Sequence, residues 1–409
     1  MTYKICADFV GREQELRRIA EFLKTGVPKG LSFLGLPGIG RSRLLREIEE
    51  RAAPQRSQDA YGYGANVCVV RIECKERTEV IRWSELLDLI ANRVCTRFEK
   101  RAAVSRLTGE YENAIWTDSP TAEGADAKTW SGFFKDLEIT APEFRVVFLL
   151  DDFDKSEPRE RPRSGSQAEW VTGWHFTEFI TYSNVCLITT STHNIHQVKD
   201  FFTYFTEQWL SPFTREDMDD LVQVNVLRPS PRLRDAVWRW TGGFPSLECK
   251  LLGCYHTASA KLTRATRNTW LRDDVEPWFD QIWGLLHPFE QQLLADLARR
   301  RRLTLRYKKE KDVAERLEQK GLASLDGEWA QLAFEAPRKL VLRKVTVEKW
   351  WHFTGEKLFR LSIWAMIFSS ILVFVFSLVE VEPAWGVLPM LLLIAYAIYG
   401  LFAPRYENA

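Results

Sequence analysis

Short apolar runs alternate along the first half of the chain with segments whose apolar residues recur every three or four positions, the pattern of strands alternating with helices. Leu16, Ile19, Ala20 and Leu23 share one helical face. Leu31–Leu34 has the length of a strand, and Ser42–Glu50 is helical again. Val67–Ile72 is a strand rich in β-branched residues, and Trp83–Phe98 carries a helical face of Leu86, Leu87, Ile90, Ala91 and Val94. Residues 103–128 are polar and poorly periodic, which predicts an exposed insert or long loop. Phe133–Leu137 closes a short helix. Arg145–Leu150 is nearly all apolar, as a strand buried on both faces of a parallel sheet would be. Residues 155–168 read as a loop, Trp170–Tyr182 as a helix and Asn184–Thr190 as another buried strand. Phe202–Leu210 leads to an edge strand.

The second half reads differently. Thr214–Val226, Ser230–Trp240 and Ser246–His256 predict helices, the last two separated by the sharp turn Gly242-Gly243-Phe244-Pro245. Pro288–Arg300 and Val313–Lys320 predict two more. Leu322–Leu325 and Trp329–Phe334 flank Asp326-Gly327, a hairpin signal, so this part resembles a winged helix. At the C-terminus, Leu361–Val379 and Ala384–Ala403 carry no charge, and each has the roughly 20 residues needed to cross hydrocarbon. Glu380-Val381-Glu382-Pro383 joins them, and basic residues (Lys357, Arg360, Arg405) flank them. The expectation is a two-span hairpin in a cell inner membrane with both termini cytoplasmic and the lipid bilayer as a partner.

The densest chemical signal is Gly35-Leu36-Pro37-Gly38-Ile39-Gly40-Arg41-Ser42 between a strand and a helix. This is a phosphate-loop pattern: glycines let backbone N–H groups turn toward anionic oxygens, and the following helix adds its positive end. Gly35, Pro37, Gly38, Ile39, Gly40, Arg41 and Ser42 are therefore candidate nucleotide contacts. Arg41 stands where a lysine is usual. Its planar fork fits phosphate but reaches differently, so slow hydrolysis and binding alone both stay open. Arg43 is either a surface residue or a second phosphate contact. The strand Arg145–Leu150 ends in Asp151-Asp152. Ser42 and Asp151 are the candidate Mg2+ ligands, and Asp152 the candidate to orient attacking water, with Arg41 beside it. Thr192, after Thr190 and Ser191 at the end of the neighbouring strand, either senses the terminal phosphate or caps the strand; His193 follows it.

Net charge is +1 across 409 residues, which gives no global attraction to nucleic acid, although Arg299–Arg302 with Arg306, Lys308, Lys309 and Lys311 form a local basic run. Seven scattered cysteines form no C-x-x-C pair, which predicts reduced thiols, and six dispersed histidines argue against zinc. The N-terminal residues hold no long apolar run, so no signal peptide is expected.

Taken together, Phe9-Val10-Gly11-Arg12-Glu13, the loop at 35–42, Phe148–Asp152, Leu187–Ser191, Leu210–Thr214 and Gly242–Pro245 resemble the STAND branch of AAA+-like P-loop ATPases and the related origin-recognition ATPases. The resemblance spans residues 8–335. It implies an α/β fold: a P-loop NTPase parallel sheet at 1–210, a helical lid at 211–274 and a winged-helix-like domain at 275–345. The membrane hairpin at 346–409 completes the expected architecture. It also implies ATP or ADP as the ligand, Val10, Gly11 and Pro245 beside the base, and a switch that assembles as a homo-oligomer in one nucleotide state in response to a protein trigger. Many bacterial relatives act in antiphage defence, which suggests such a role by analogy. The leading expectation is thus a membrane-anchored nucleotide-dependent switch. The alternatives are a membrane-tethered DNA-binding ATPase and a membrane-damaging effector gated by the ATPase core.

Overall fold

The computed structural model describes residues 9–25, 29–53, 66–74, 79–94, 97–116, 130–156, 170–172, 176, 178–192, 205–258 and 261–344. Its centre is a five-stranded sheet of β1 (Gly30–Leu34), β2 (Val67–Glu73), β4 (Arg145–Asp151), β6 (Val185–Ser191) and β7 (Phe205–Trp209), in the order β2-β4-β6-β1-β7. All four pairings are parallel. Val146–Leu150 and Val185–Ser191 are buried throughout, the consequence of helices covering both faces of a parallel sheet. On one face Phe148 packs edge-on against Phe134 and Phe176 at 6.2 and 5.3 Å between ring centroids. Such pairs add about 0.5–1.5 kcal/mol each beyond the area they bury.

The strand order decides where the chemistry falls. β6 lies between β1, which feeds the glycine-rich loop, and β4, which ends in the carboxylates. The C-terminal ends of all three strands therefore open onto one side, with Thr190–Thr192 between the loop and Asp151-Asp152.

Two local expectations are corrected. Residues 103–128 were expected as an exposed insert, yet Arg101–Trp116 is a helix. Val104, Leu107, Thr108 and Tyr111 form its buried stripe, and the Tyr111 hydroxyl donates to Asp136 Oδ2 at 2.6 Å. A polar threonine within the stripe hides the periodicity. Trp170–Tyr182 was expected as a helix; Phe176, Glu178 and Phe179 are helical, but Trp170–Thr172 is a strand, β5, paired antiparallel with β3 (Glu79–Arg82). That partner lies far away in sequence, and pairing with it overrides the local pattern.

After the sheet come helices Arg215–Asn225, Pro231–Thr241 and Pro245–Thr257, as the periodicity predicts. Helices Arg264–Trp270 and Glu276–Leu285 follow. Then helix Pro288–Arg300, β8 (Arg302–Thr304), helix Lys308–Gln319, β9 (Ala323–Asp326) and β10 (Trp329–Leu332) make a helix–strand–helix–hairpin unit. Its small antiparallel sheet has the order β8-β10-β9. Contacts divide the chain into two compact units, 1–340 and 341–409; sheet, lid and winged-helix-like part all fall in the first.

The expected C-terminal transmembrane helices require correction. Among the described residues no helix is long and apolar enough to cross a membrane. Segments 361–379 and 384–403, where the spans were expected, lie outside the described residues. An uncharged stretch fixes a hydrophobic length but does not by itself make a helix that spans. The anchored switch, the tethered regulator and the membrane-damaging effector all lose the element on which they were built. So do the bilayer as partner and the inner-membrane location.

The cysteine reading is corrected in one place. Cys68, Cys74, Cys186 and Cys254 are free thiols, and burial pushes the Cys68 thiol up to about 12. Cys249 is disulfide-bonded. Spacing along the chain cannot reveal a bridge whose geometry is set by proximity in the fold.

Candidate functional site

The loop after β1 folds as its glycines permit. Gly38 and Gly40 have φ of 83° and 98°, left-handed values that an L side chain rarely adopts. Gly40 caps helix Arg41–Arg51 with no side-chain hydrogen bond. The first N–H groups of that helix therefore lack both intrahelical and capping side-chain partners, the usual makings of an anion site.

Three consecutive loop carbonyls are held from outside. Trp278 Nε1 donates to Pro37 O at 2.7 Å, Ser246 N to Gly38 O at 3.2 Å and Arg12 Nη2 to Ile39 O at 2.9 Å. A trans peptide is planar, so a carbonyl held on one side turns the next N–H to the other. The Gly38 and Gly40 N–H groups thus face away from these donors. Arg12 is itself buried, which holds its guanidinium below the usual range. Glu15 at 3.2 Å and the Phe213 ring at 5.0 Å partly compensate.

Arg41 turns inward and is 9% exposed. Nη1 donates to Gly35 O at 3.0 Å and to Thr192 Oγ1 at 2.9 Å, while Nη2 meets Asp152 Oδ1 at 2.8 Å. One guanidinium thus ties together the ends of β1, β6 and β4. Asp152 has φ 52°, and its other oxygen accepts from Lys155 Nζ at 2.8 Å, a bond that raises the Lys155 pKa. The Thr190 hydroxyl donates to Asp151 Oδ1 at 2.7 Å and accepts from Asp152 N at 3.0 Å. Asp154 Oδ2 accepts from Thr192 N at 3.1 Å.

A cavity of about 890 Å³ opens over these groups. Pro37, Gly38, Ile39, Gly40, Arg41, Ser42 and Arg43 line its floor. Val10, Asp152, Thr192 and Pro245 line it from four other segments. Gly35 is not among the lining residues, but its carbonyl accepts from Arg41. Gly11, with φ 73°, and Asp151, 3% exposed, are not among the lining residues. His193 lies outside the described residues. Arg12, Lys155, Ser246 and Trp278 were not expected as site residues, and only Arg12 belonged to a motif that had been singled out.

Oxygen donors at the start of the helix and the end of β4 suit a hard divalent cation. Ser42 and one of the two aspartates would hold it. Among the described residues no cluster of three or more His, Cys, Asp or Glu stands ready to bind a metal alone. Such an ion would take its remaining ligands from phosphate and water.

Gly38 packs too closely for a side chain. An added Cβ would lie 3.0 Å from Trp278 Nε1 and 3.1 Å from Ser246 Cβ, in a left-handed backbone. Gly38→Ala is expected to lower unfolding free energy by about 1–2 kcal/mol in denaturant titrations, because both the φ and the contact resist it.

Three of the eight residues of the basic run on the winged-helix-like unit are paired locally. Arg299 pairs with Asp296, Arg302 with Asp326 and Lys311 with Glu328, at 3.6, 2.9 and 3.3 Å. Arg302 also lies over the Trp329 ring.

Residues 8–168 match the family model described as AAA ATPase domain. No curated protein matches. Solved structures that match include the Walker-type ATPase of Pyrococcus abyssi, at 14% identity and TM-score 0.48, over 82% of this chain and 97% of that one. The Aeropyrum pernix ORC2 protein in ADPNP-ADP complexes matches at 10% identity and TM-score 0.47, over 85% and 97%. A Pyrococcus horikoshii STAND protein with a tetratricopeptide repeat sensor matches at 14% identity and TM-score 0.34, over 83% of this chain and 43% of that one. Over residues 8–168 the chain is thus similar to AAA ATPase domains, and the likeness supports nucleotide binding by this part of it.

Proposed function

We propose that the chain is an ATP/ADP-dependent switch with slow hydrolysis, its phosphates held over residues 35–42 and its base between Val10 and Pro245. The observation that carries this reading is the Arg41 bridge. A phosphate-loop cation reaches both Asp152 and Thr192 at one end of a cavity whose other wall is the start of the lid helix. A terminal phosphate arriving there competes with Asp152 and Thr192 for the guanidinium. Binding therefore loosens the ends of β4 and β6, and loss of the phosphate restores them. Ser42 with Asp151 or Asp152 holds Mg2+, which neutralises phosphate charge when bound. Asp152, once released from Arg41, orients water, and Arg43 stays a lining residue paired with Glu47 and Glu50. Because Asp152 is engaged at rest, turnover should be slow. Assembly as a homo-oligomer in one nucleotide state belongs to the same proposal.

The test is equilibrium binding of MgATP, MgADP and MgGTP to the full chain, with turnover and molar mass measured in each state. Micromolar affinity for the adenine nucleotides, weaker affinity for MgGTP and a turnover well below one per second are expected. A folded chain that takes up none of the three would defeat the reading.

A further inference from the structure

We propose that Trp278 is a positioning residue of the phosphate loop: by gripping the Pro37 carbonyl, its indole N–H presets the loop for phosphate and ties nucleotide occupancy to the part of the chain beyond the lid. The inference rests on the nucleotide-binding reading of the cavity and adds to it a residue remote in sequence and the route by which occupancy is felt.

The geometry has three parts. The first is the bond itself, 2.7 Å from Nε1 to Pro37 O across 241 positions of sequence. The second is how the indole is fixed. It sits edge-on to Phe244 at 5.0 Å, and Phe244 immediately precedes the lid helix Pro245–Thr257. Phe334, just after β10, lies 5.5 Å from Phe244 and 6.2 Å from Trp278. The indole is thus gripped by rings from the lid turn and from the end of the small sheet, while its polar edge faces the loop. The third part is the absence of slack: Gly38 already touches the indole nitrogen closely enough that a methyl group would crowd it. A loop that tightens around phosphate cannot move here without moving the indole.

The bond is not merely the default of a buried tryptophan. Trp83 and Trp270 bury their indole nitrogens with no hydrogen-bond partner. This fold tolerates that cost elsewhere, yet the N–H of Trp278 is given to the loop.

Trp278→Phe keeps an aromatic ring between Phe244 and Phe334 and deletes only the donor. Its isostere with benzothienylalanine, in which sulfur replaces N–H, keeps the full shape and guards against a packing defect in the phenylalanine variant. Each full-length variant is titrated with MgATP and MgADP. Amide exchange is followed at 276–285 and 329–334 with and without nucleotide, and the unliganded Tm is measured. Losing one hydrogen bond of this kind should weaken nucleotide affinity about five- to tenfold. Nucleotide should no longer slow exchange in those two segments, while the unliganded Tm stays within a few degrees of wild type. If the isostere binds as tightly as wild type, or keeps the nucleotide-dependent protection, the inference is overturned. A wild type that takes no nucleotide overturns the site reading and this inference together. A wild type that binds and an isostere that matches it overturns this inference alone.

Discussion

Arg41→Ala is expected to weaken nucleotide binding at least about 100-fold and to lower the unfolding free energy of the unliganded chain by about 2–4 kcal/mol. The stability loss follows from what the guanidinium holds at rest. Its three acceptors are Gly35 O, Thr192 Oγ1 and Asp152 Oδ1, which belong to three different strand ends. Removing it strands a half-buried carboxylate and unties β4 and β6 from the loop. Lys155 at 2.8 Å keeps Asp152 partly paired, which limits the cost to the lower part of the range for breaking a buried pair. The affinity loss follows from removing a cation that touches both the loop and the carboxylate. Arg41→Lys separates the two effects. An ammonium is a point donor and cannot serve three acceptors set out for a planar fork. It should keep phosphate affinity within about tenfold while losing about 1 kcal/mol of unliganded stability. Denaturant unfolding without nucleotide, followed by nucleotide titration, distinguishes these outcomes. An alanine variant as stable as wild type would mean that the bridge holds nothing together; one with wild-type affinity would mean that phosphate is bound elsewhere.

That bridge also shows what sequence can and cannot disclose. The strand pattern was readable because a parallel sheet covered on both faces demands unbroken apolar runs, and Val146–Leu150 is such a run. The loop was readable because only glycine adopts φ near 83° and 98° cheaply at Gly38 and Gly40. Arg41 was readable as a departure in residue type. Its partners were not, since Thr192 and Asp152 stand 151 and 111 residues away. The clamps on the loop are harder still. Ser246 contributes a backbone N–H, which any residue but proline supplies, and Trp278 looks like one more apolar residue of an amphipathic helix. Only Arg12 had a signal, through its place in Phe9-Val10-Gly11-Arg12-Glu13. Helix Arg101–Trp116 and strand Trp170–Thr172 were missed because a mixed stripe and a remote pairing partner leave little trace in local pattern. The C-terminal reading found no support, because among the described residues no helix is long and apolar enough to cross a membrane and segments 361–379 and 384–403 lie outside them.

Between about pH 5 and pH 8 the unfolding free energy should fall as pH rises, with a slope approaching 1.4 kcal/mol per unit from a single lid residue, Glu248. Glu248 is 0% exposed in helix Pro245–Thr257, and burial pushes its carboxyl from 4.5 up to about 8. The Thr241 hydroxyl donates to Oε1 at 3.3 Å and pulls the value down, Asp217 pushes it up, and Arg12 pulls it down only weakly. Oε2 is buried with no hydrogen-bond partner, a state that a neutral carboxylic acid bears better than a carboxylate. The sign follows from proton counting. Between the unfolded and folded values the native chain holds a proton that the unfolded chain has released, so each rise in pH favours unfolding. The stabilisation is complete below about pH 4.5 and lost as pH passes about 8, a total on the order of 5 kcal/mol. Glu248→Gln cannot ionise, so its stability should follow a flatter curve, close to wild type near pH 5 and higher by a few kcal/mol near pH 9. Denaturant unfolding of both proteins across this range measures the difference between the two slopes directly. Parallel curves would mean that Glu248 ionises freely in the folded lid. The consequence reaches the site, because Arg12, whose charge lies close enough to bias Glu248, is the residue that holds the Ile39 carbonyl at 2.9 Å. A carboxylate forming beside it draws the guanidinium toward the lid, so nucleotide affinity should weaken as pH rises through about 8, where the folded Glu248 ionises, in wild type and not in Glu248→Gln.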